Sequence, residues 1–132
     1  MSREILFKAK RKNWKELPKE KWWVEGLPSY DISGNVTEFE VCKGFANCAT
    51  FEIDYDTLCQ FTGLTDKNGR KIFEGDICVI HDFCDDEKFI VKYDTDNGRY
   101  LLRGENTIQD FGKIYRFYDF EVISNIFEGG TK

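Results

Sequence analysis

The stretch Gln60-Phe61-Thr62-Gly63-Leu64-Thr65-Asp66-Lys67-Asn68-Gly69-Arg70-Lys71-Ile72-Phe73-Glu74-Gly75-Asp76 decides the fold. Leu58, Phe61 and Leu64 supply apolar contacts before its centre, and Ile72 and Phe73 supply them after it. Between them lies Asp66-Lys67-Asn68-Gly69. Asn-Gly tolerates positive φ and closes tight hairpins at low steric cost. Glu74-Gly75-Asp76 is a second break, followed at once by the apolar run 77–80. Gly permits a sharp turn and Asp accepts hydrogen bonds from nearby backbone. The stretch therefore predicts a hairpin, a tight turn and entry into a buried strand. It carries no catalytic pattern.

Gln60, Gly63, Leu64, Asp66, Asn68, Gly69, Glu74, Gly75 and Asp76, in this order, resemble the signature of the YopX family, small proteins found mostly in phages and prophages. Residues 3–9 resemble that family's opening strand, and residues 120–128 its closing strand. The resemblance spans the chain and is densest over 57–80. It implies an all-β fold, with an N-terminal β region over 1–58 packed on a C-terminal SH3-like small β-barrel over 59–132. It brings no catalytic residues.

Outward from the motif, the chain reads as short strands. Ile5, Phe7 and Ala9 alternate with polar positions and predict a first strand. Residues 10–21 read as a basic loop with room for a helical turn. Trp22-Trp23-Val24 predicts a second strand, ended by turn chemistry at Gly26 to Tyr30 and at Ser33-Gly34-Asn35. Val36 to Cys42 predicts a strand with Phe39 and Val41 on one face, and Phe51, Ile53 and Tyr55 alternate as a half-exposed strand. Beyond the motif, strands are expected at 77–83, around Phe89, Val91 and Tyr93, at 100–103, at 114–120 and at 121–127. Spacings of roughly 8–12 residues with turns between suggest a barrel or sandwich.

Composition supports this reading. Aromatic residues make up 16% of the 132 residues, and they favour pleated, half-buried surfaces. Charge is unevenly spread. Residues 1–21 hold eight basic and three acidic groups, and the remaining residues eleven and twenty-one. An acidic body argues against broad phosphate binding, which needs a basic face. No stretch has the length and hydropathy of a signal segment or a membrane span, so a soluble protein of the cytoplasm (the host cell's, if phage-encoded) is expected. Five cysteines, an odd number, read as free thiols in a reducing compartment.

Cys42 and Cys48, and Cys78 and Cys84 with His81 between, are spaced too widely for zinc pairs. His81 is the single imidazole, and nothing around any Cys or Ser marks an activated nucleophile. Asp82, Asp85, Asp86 and Glu87 read as a solvated acidic turn rather than an ion site. No metal or cofactor is expected. Lys8, Lys10, Arg11 and Lys12 with Trp14, Trp22 and Trp23 form a candidate interaction surface, since cations that track phosphates beside rings that stack bases suit single-stranded nucleic acid. The favoured expectation is a non-enzymatic binding or assembly module that self-associates or docks an unknown protein. A nucleic-acid-binding module is the alternative.

Overall fold

The computed structural model describes residues 4–42, 48–81, 87–105, 107–116 and 118–128. They divide into two compact units, Met1–Phe61 and Thr62–Lys132. The fold is mostly β, with two antiparallel sheets. The strands are β1 (Phe7–Lys10), β2 (Trp23–Tyr30), β3 (Val36–Cys42), β4 (Cys48–Glu52), β5 (Cys59–Thr65), β6 (Lys71–Phe73), β7 (Asp76–Ile80), β8 (Lys88–Asp94), β9 (Arg99–Arg103), β10 (Ile108–Asp110) and β11 (Phe120–Asn125). One short helix, α1 (Phe111–Tyr115), separates β10 from β11. The sheet orders are β4-β3-β2-β1-β5-β6 and β10-β9-β8-β7-β11.

In the first unit, period-2 alternation sends one row inward. Ala9, Val24, Val36, Phe39 and Ile53 form the core, with Phe7, Val41, Phe51 and Leu58 packed against it. The opposite row carries Lys8 facing Glu25, Leu27 facing Glu40 and Ser29 facing Glu38. The end of β4 returns to the end of β1: Lys12 N–H donates to Glu52 O, Asp54 N–H to Lys10 O, and Arg11 bridges Ile53. Two 3₁₀ turns, Trp14–Glu16 and Lys19–Lys21, occupy the basic segment.

The turn chemistry at Gly26 to Tyr30 does not end β2, which runs through all of it. Gly26 is there because the strands come too close for a side chain. A Cβ at that position would stand 2.7 Å from Glu40 O. Pro28 is tolerated because β1 pairs with β2 only as far as Gly26, so no ladder on that side needs its missing N–H. The turn itself falls at 31–35, where the Asp31 carboxylate accepts from Ser33 and Asn35 N–H.

In the second unit, Ile72, Cys78, Ile80, Phe89, Val91, Leu102, Phe111, Phe120 and Val122 make the core. Each large apolar side chain buried here stabilises by about 1.5–3 kcal/mol. Among the described residues of 114–119 the expected strand is not formed. Asp110 accepts from Lys113 N–H and caps a helical turn instead, as a short acidic side chain does at a helix start. A closed barrel is not formed among the described residues either. β10 is three residues long and pairs only with β9, and β11 pairs only with β7, so the second sheet is open.

Candidate interaction surface

The central motif is a pair of buried carboxylate staples. Asp66 is buried, and its Oδ1 accepts from Asn68 and Arg70 N–H at 2.9 Å each. Its Oδ2 accepts from Val122 N–H at 3.0 Å, which ties the β5–β6 hairpin to β11. Burial works against the Asp66 charge. The three backbone N–H groups and the Arg70 guanidinium outweigh it and hold the carboxyl below its ordinary value. Arg70 also donates to Val122 O. Asp76, also buried, accepts from Phe73 N–H at 2.7 Å and from the Asn125 side-chain amide at 2.9 Å.

Gly63, Gly69 and Gly75 have φ of 93°, 84° and 89°. At Gly69 and Gly75 the turns require that left-handed backbone, which only Gly adopts without strain. Gly75 also donates to Val91 O and accepts from Ile126 N–H. Leu64 packs against the second core, Gln60 faces Phe7 across the β1–β5 ladder, and Glu74 lies in the turn between β6 and β7.

The basic, tryptophan-bearing segment is folded onto itself. Lys10 is 2% exposed. Its Nζ lies 3.8 Å from the Trp14 ring centre, 4.5 Å from Trp22 and 5.8 Å from Trp23. Trp14 and Trp22 meet edge to face with centres 4.9 Å apart. Their indole N–H groups donate to Asp54 Oδ2 and Leu17 O. Lys8 Nζ sits 4.6 Å over Trp23, and the Arg11 guanidinium stacks 4.6 Å over Phe51. A cation over an indole face is held by the ring quadrupole, so these faces are already covered. Lys12, Lys15, Lys19 and Lys21 are the exposed cations of the segment. A cleft of about 400 Å³ is lined by Lys12 together with Arg11, Asn13, Thr50, Phe51 and Glu52.

Reading the sequence missed a second feature of this unit. Ile5, Leu27, Tyr30 and Ile32 are 60%, 49%, 64% and fully exposed. Leu27 and Tyr30 lie on the part of β2 that runs beyond β1, Ile32 follows in the turn, and Ile5 precedes β1. Ile5, Leu6, Gly26, Leu27 and Val41 line a groove of about 290 Å³ there, with Glu25 and Glu40. Its signal was the alternation Glu25, Leu27, Ser29, which marks a strand face where turn residues had suggested a break.

The cysteines differ from the free-thiol reading in one respect. Cys59 and Cys78 are free and buried, whereas Cys48 is disulfide-bonded. Cys48 stands opposite position 42 in the β3–β4 ladder. Burial first, and then Asp76 and Asp66, push the Cys78 thiol up to about 12. His81 is exposed and pairs with Glu121 at 2.8 Å. Among the described residues no three potential metal ligands gather, and no helix is long and apolar enough to cross a membrane. Cys84, Asp82, Asp85 and Asp86 lie outside the described residues.

Two antiparallel sheets and two small units, one unit fastened through buried carboxylates and the other through a lysine under indoles, define a mostly β protein. The chain belongs to the YopX family, whose model, described as YopX protein, matches residues 12–131. It is similar in structure to protein EF1440 from Enterococcus faecalis, with a TM-score of 0.60 and 26% identity over 98% of each chain. No curated protein matches the chain.

Proposed function

We propose that this YopX family member is a non-enzymatic binding or assembly module of the phage and prophage type, acting in the cytoplasm of the host cell. The observation that carries the reading is the apolar groove lined by Ile5, Leu6, Leu27 and Val41, with exposed Tyr30 further along β2. Contiguous apolar surface on a small protein marks an interaction site. The motif carboxylates support the non-enzymatic side, because Asp66 and Asp76 direct their oxygens to backbone and amide donors. We read the second unit as SH3-like. Its strands β7 to β10 run as a meander, and β11 returns beside β7 after a single helical turn. Small barrels of that type host many binding functions, and that part of the reading is analogy of fold.

The test is a photo-crosslinking residue placed at Tyr30, compared with one at exposed Thr95 of the second unit. A discrete product from position 30 alone, a second copy or another protein, is the expected outcome. Identical products from both positions, or none, would overturn the reading. The exposed row of Lys12, Lys15, Lys19 and Lys21 favours the nucleic-acid module as a second reading. A single-strand gel shift at two salt concentrations tests it, because phosphate binding weakens steeply with salt.

A further inference from the structure

Resting on the binding-module reading, we propose that the groove at the β2 overhang docks a protein segment in which an aliphatic side chain is flanked by lysine or arginine. The groove supplies both halves of that chemistry. Ile5, Leu6, Leu27 and Val41 give it apolar walls, and its floor at Gly26 has no side chain. Glu25 and Glu40 stand at its sides. Glu40 directly faces Leu27, and Glu38 follows on the same sheet face opposite Ser29. Glu4 is exposed one residue before Ile5.

Lys8 is a cation on this face. It opposes Glu25 in the ladder, and its ammonium is drawn over Trp23. The groove is therefore an apolar slot with an acidic border. Such a border attracts a basic partner and rejects an acidic one. Pro28 narrows the choice further. A strand added along the β2 overhang would meet a residue that cannot donate, so the groove selects by side chains rather than by extending the sheet.

The probes are three capped peptides: alternating lysine and leucine, alternating glutamate and leucine, and alternating lysine and serine. They are titrated into the ¹⁵N-labelled full chain. The lysine–leucine peptide is expected to shift the amides of Ile5, Gly26, Leu27, Glu40 and Val41 above all others. The other two peptides are expected to leave them in place. Leu27→Ser, at an exposed position that does not endanger folding, should weaken binding about tenfold, the effect of losing roughly 1.4 kcal/mol at an apolar anchor. A double variant, Glu25→Gln with Glu40→Gln, should weaken it severalfold and remove its salt dependence. Equal binding of the glutamate–leucine peptide, or shifts outside the groove, overturns the proposal. No groove shift while the crosslink from position 30 persists overturns this inference and leaves the binding-module reading standing. Loss of both overturns both.

Discussion

The two units bury charge in opposite ways. The second unit encloses anions, Asp66 and Asp76, and meets them with backbone N–H groups and one side-chain amide. The first encloses a cation, Lys10, and meets it with the faces of Trp14, Trp22 and Trp23. A buried carboxylate finds backbone donors close by in sequence, as Asp66 does at Asn68 and Arg70 and Asp76 does at Phe73. A buried ammonium has no comparable local supply of π faces. Its rings come from a separate 3₁₀ segment and a neighbouring strand, which are thereby pinned to β1. Each carboxylate staple is anchored in its own turn and reaches one partner on β11, whereas the lysine cluster is assembled wholly from separate segments.

The comparison is broken most directly at the staples. Asp76→Ala removes the carboxylate that accepts from the Phe73 N–H and the Asn125 amide, and Asp66→Ala removes the one that accepts from three N–H groups. Each should destabilise the second unit by about 3 kcal/mol or more, since an orphaned buried donor costs about 1–3 kcal/mol. Denaturant unfolding followed by tyrosine and far-ultraviolet signals would measure it. A loss below about 1 kcal/mol, the scale of an ordinary surface change, would show that these bonds are replaceable.

The matching change in the first unit is Lys10→Met, which keeps the apolar stem and removes the charge. A desolvated cation–π contact contributes up to about 2 kcal/mol, so the expected loss is about 1–2 kcal/mol with a red shift in tryptophan emission. An unchanged spectrum would mean that the rings are held by packing and their own hydrogen bonds alone.

The pH dependence should separate the units next. A carboxyl whose folded pKa is lowered contributes stability that is present above its unfolded value, about 3.9. That stability is lost as pH falls through the folded value. Asp66 is such a group, so the second unit should weaken as pH drops below about 4. Asp66→Asn should flatten that slope. An unchanged slope would place the acid sensitivity elsewhere, for instance in Asp94 or Asp110, whose carboxyls are also held low, by the Asn97 amide and by Lys113 N–H respectively.

The smallest effect belongs to Cys78. With its thiol raised to about 12 and its side chain buried, it should resist iodoacetamide at pH 8 in the folded protein and react once unfolded, because the thiolate is the reactive form. Labelling at the rate of a free thiol would show that the second core opens readily.

Much of the fold was legible because it is local. Asp66-Lys67-Asn68-Gly69 turned where the residue types demanded, and so did Ser33-Gly34-Asn35 and the turn ending at Gly98. The inward rows of β3 and β8 followed their alternation. The failures share a cause. Gly26 and Pro28 looked like punctuation, yet Gly26 answers the approach of β3 and Pro28 sits past the end of β1, and neither fact is local. The strand expected at 114–120 gave way to a turn capped by Asp110. Closure of a barrel depends on whether edges meet, and β10 and β11 do not. In the surface residues, Lys10 and the three tryptophans stood out by type. Their sequence could not show that the lysine points into the rings rather than away from them.

By itself, then, the sequence determined the β character, the turns of the central motif and the places where apolar rows begin. These depend on backbone φ and on side-chain period, which act over a few residues. Only the tertiary structure decided that Asp66 reaches Val122, that Lys10 lies under three indoles, and that Leu27 opens a groove edged by Glu25 and Glu40. Each of those depends on chain segments brought together from a distance, and on which polar groups the packed core leaves for them to satisfy.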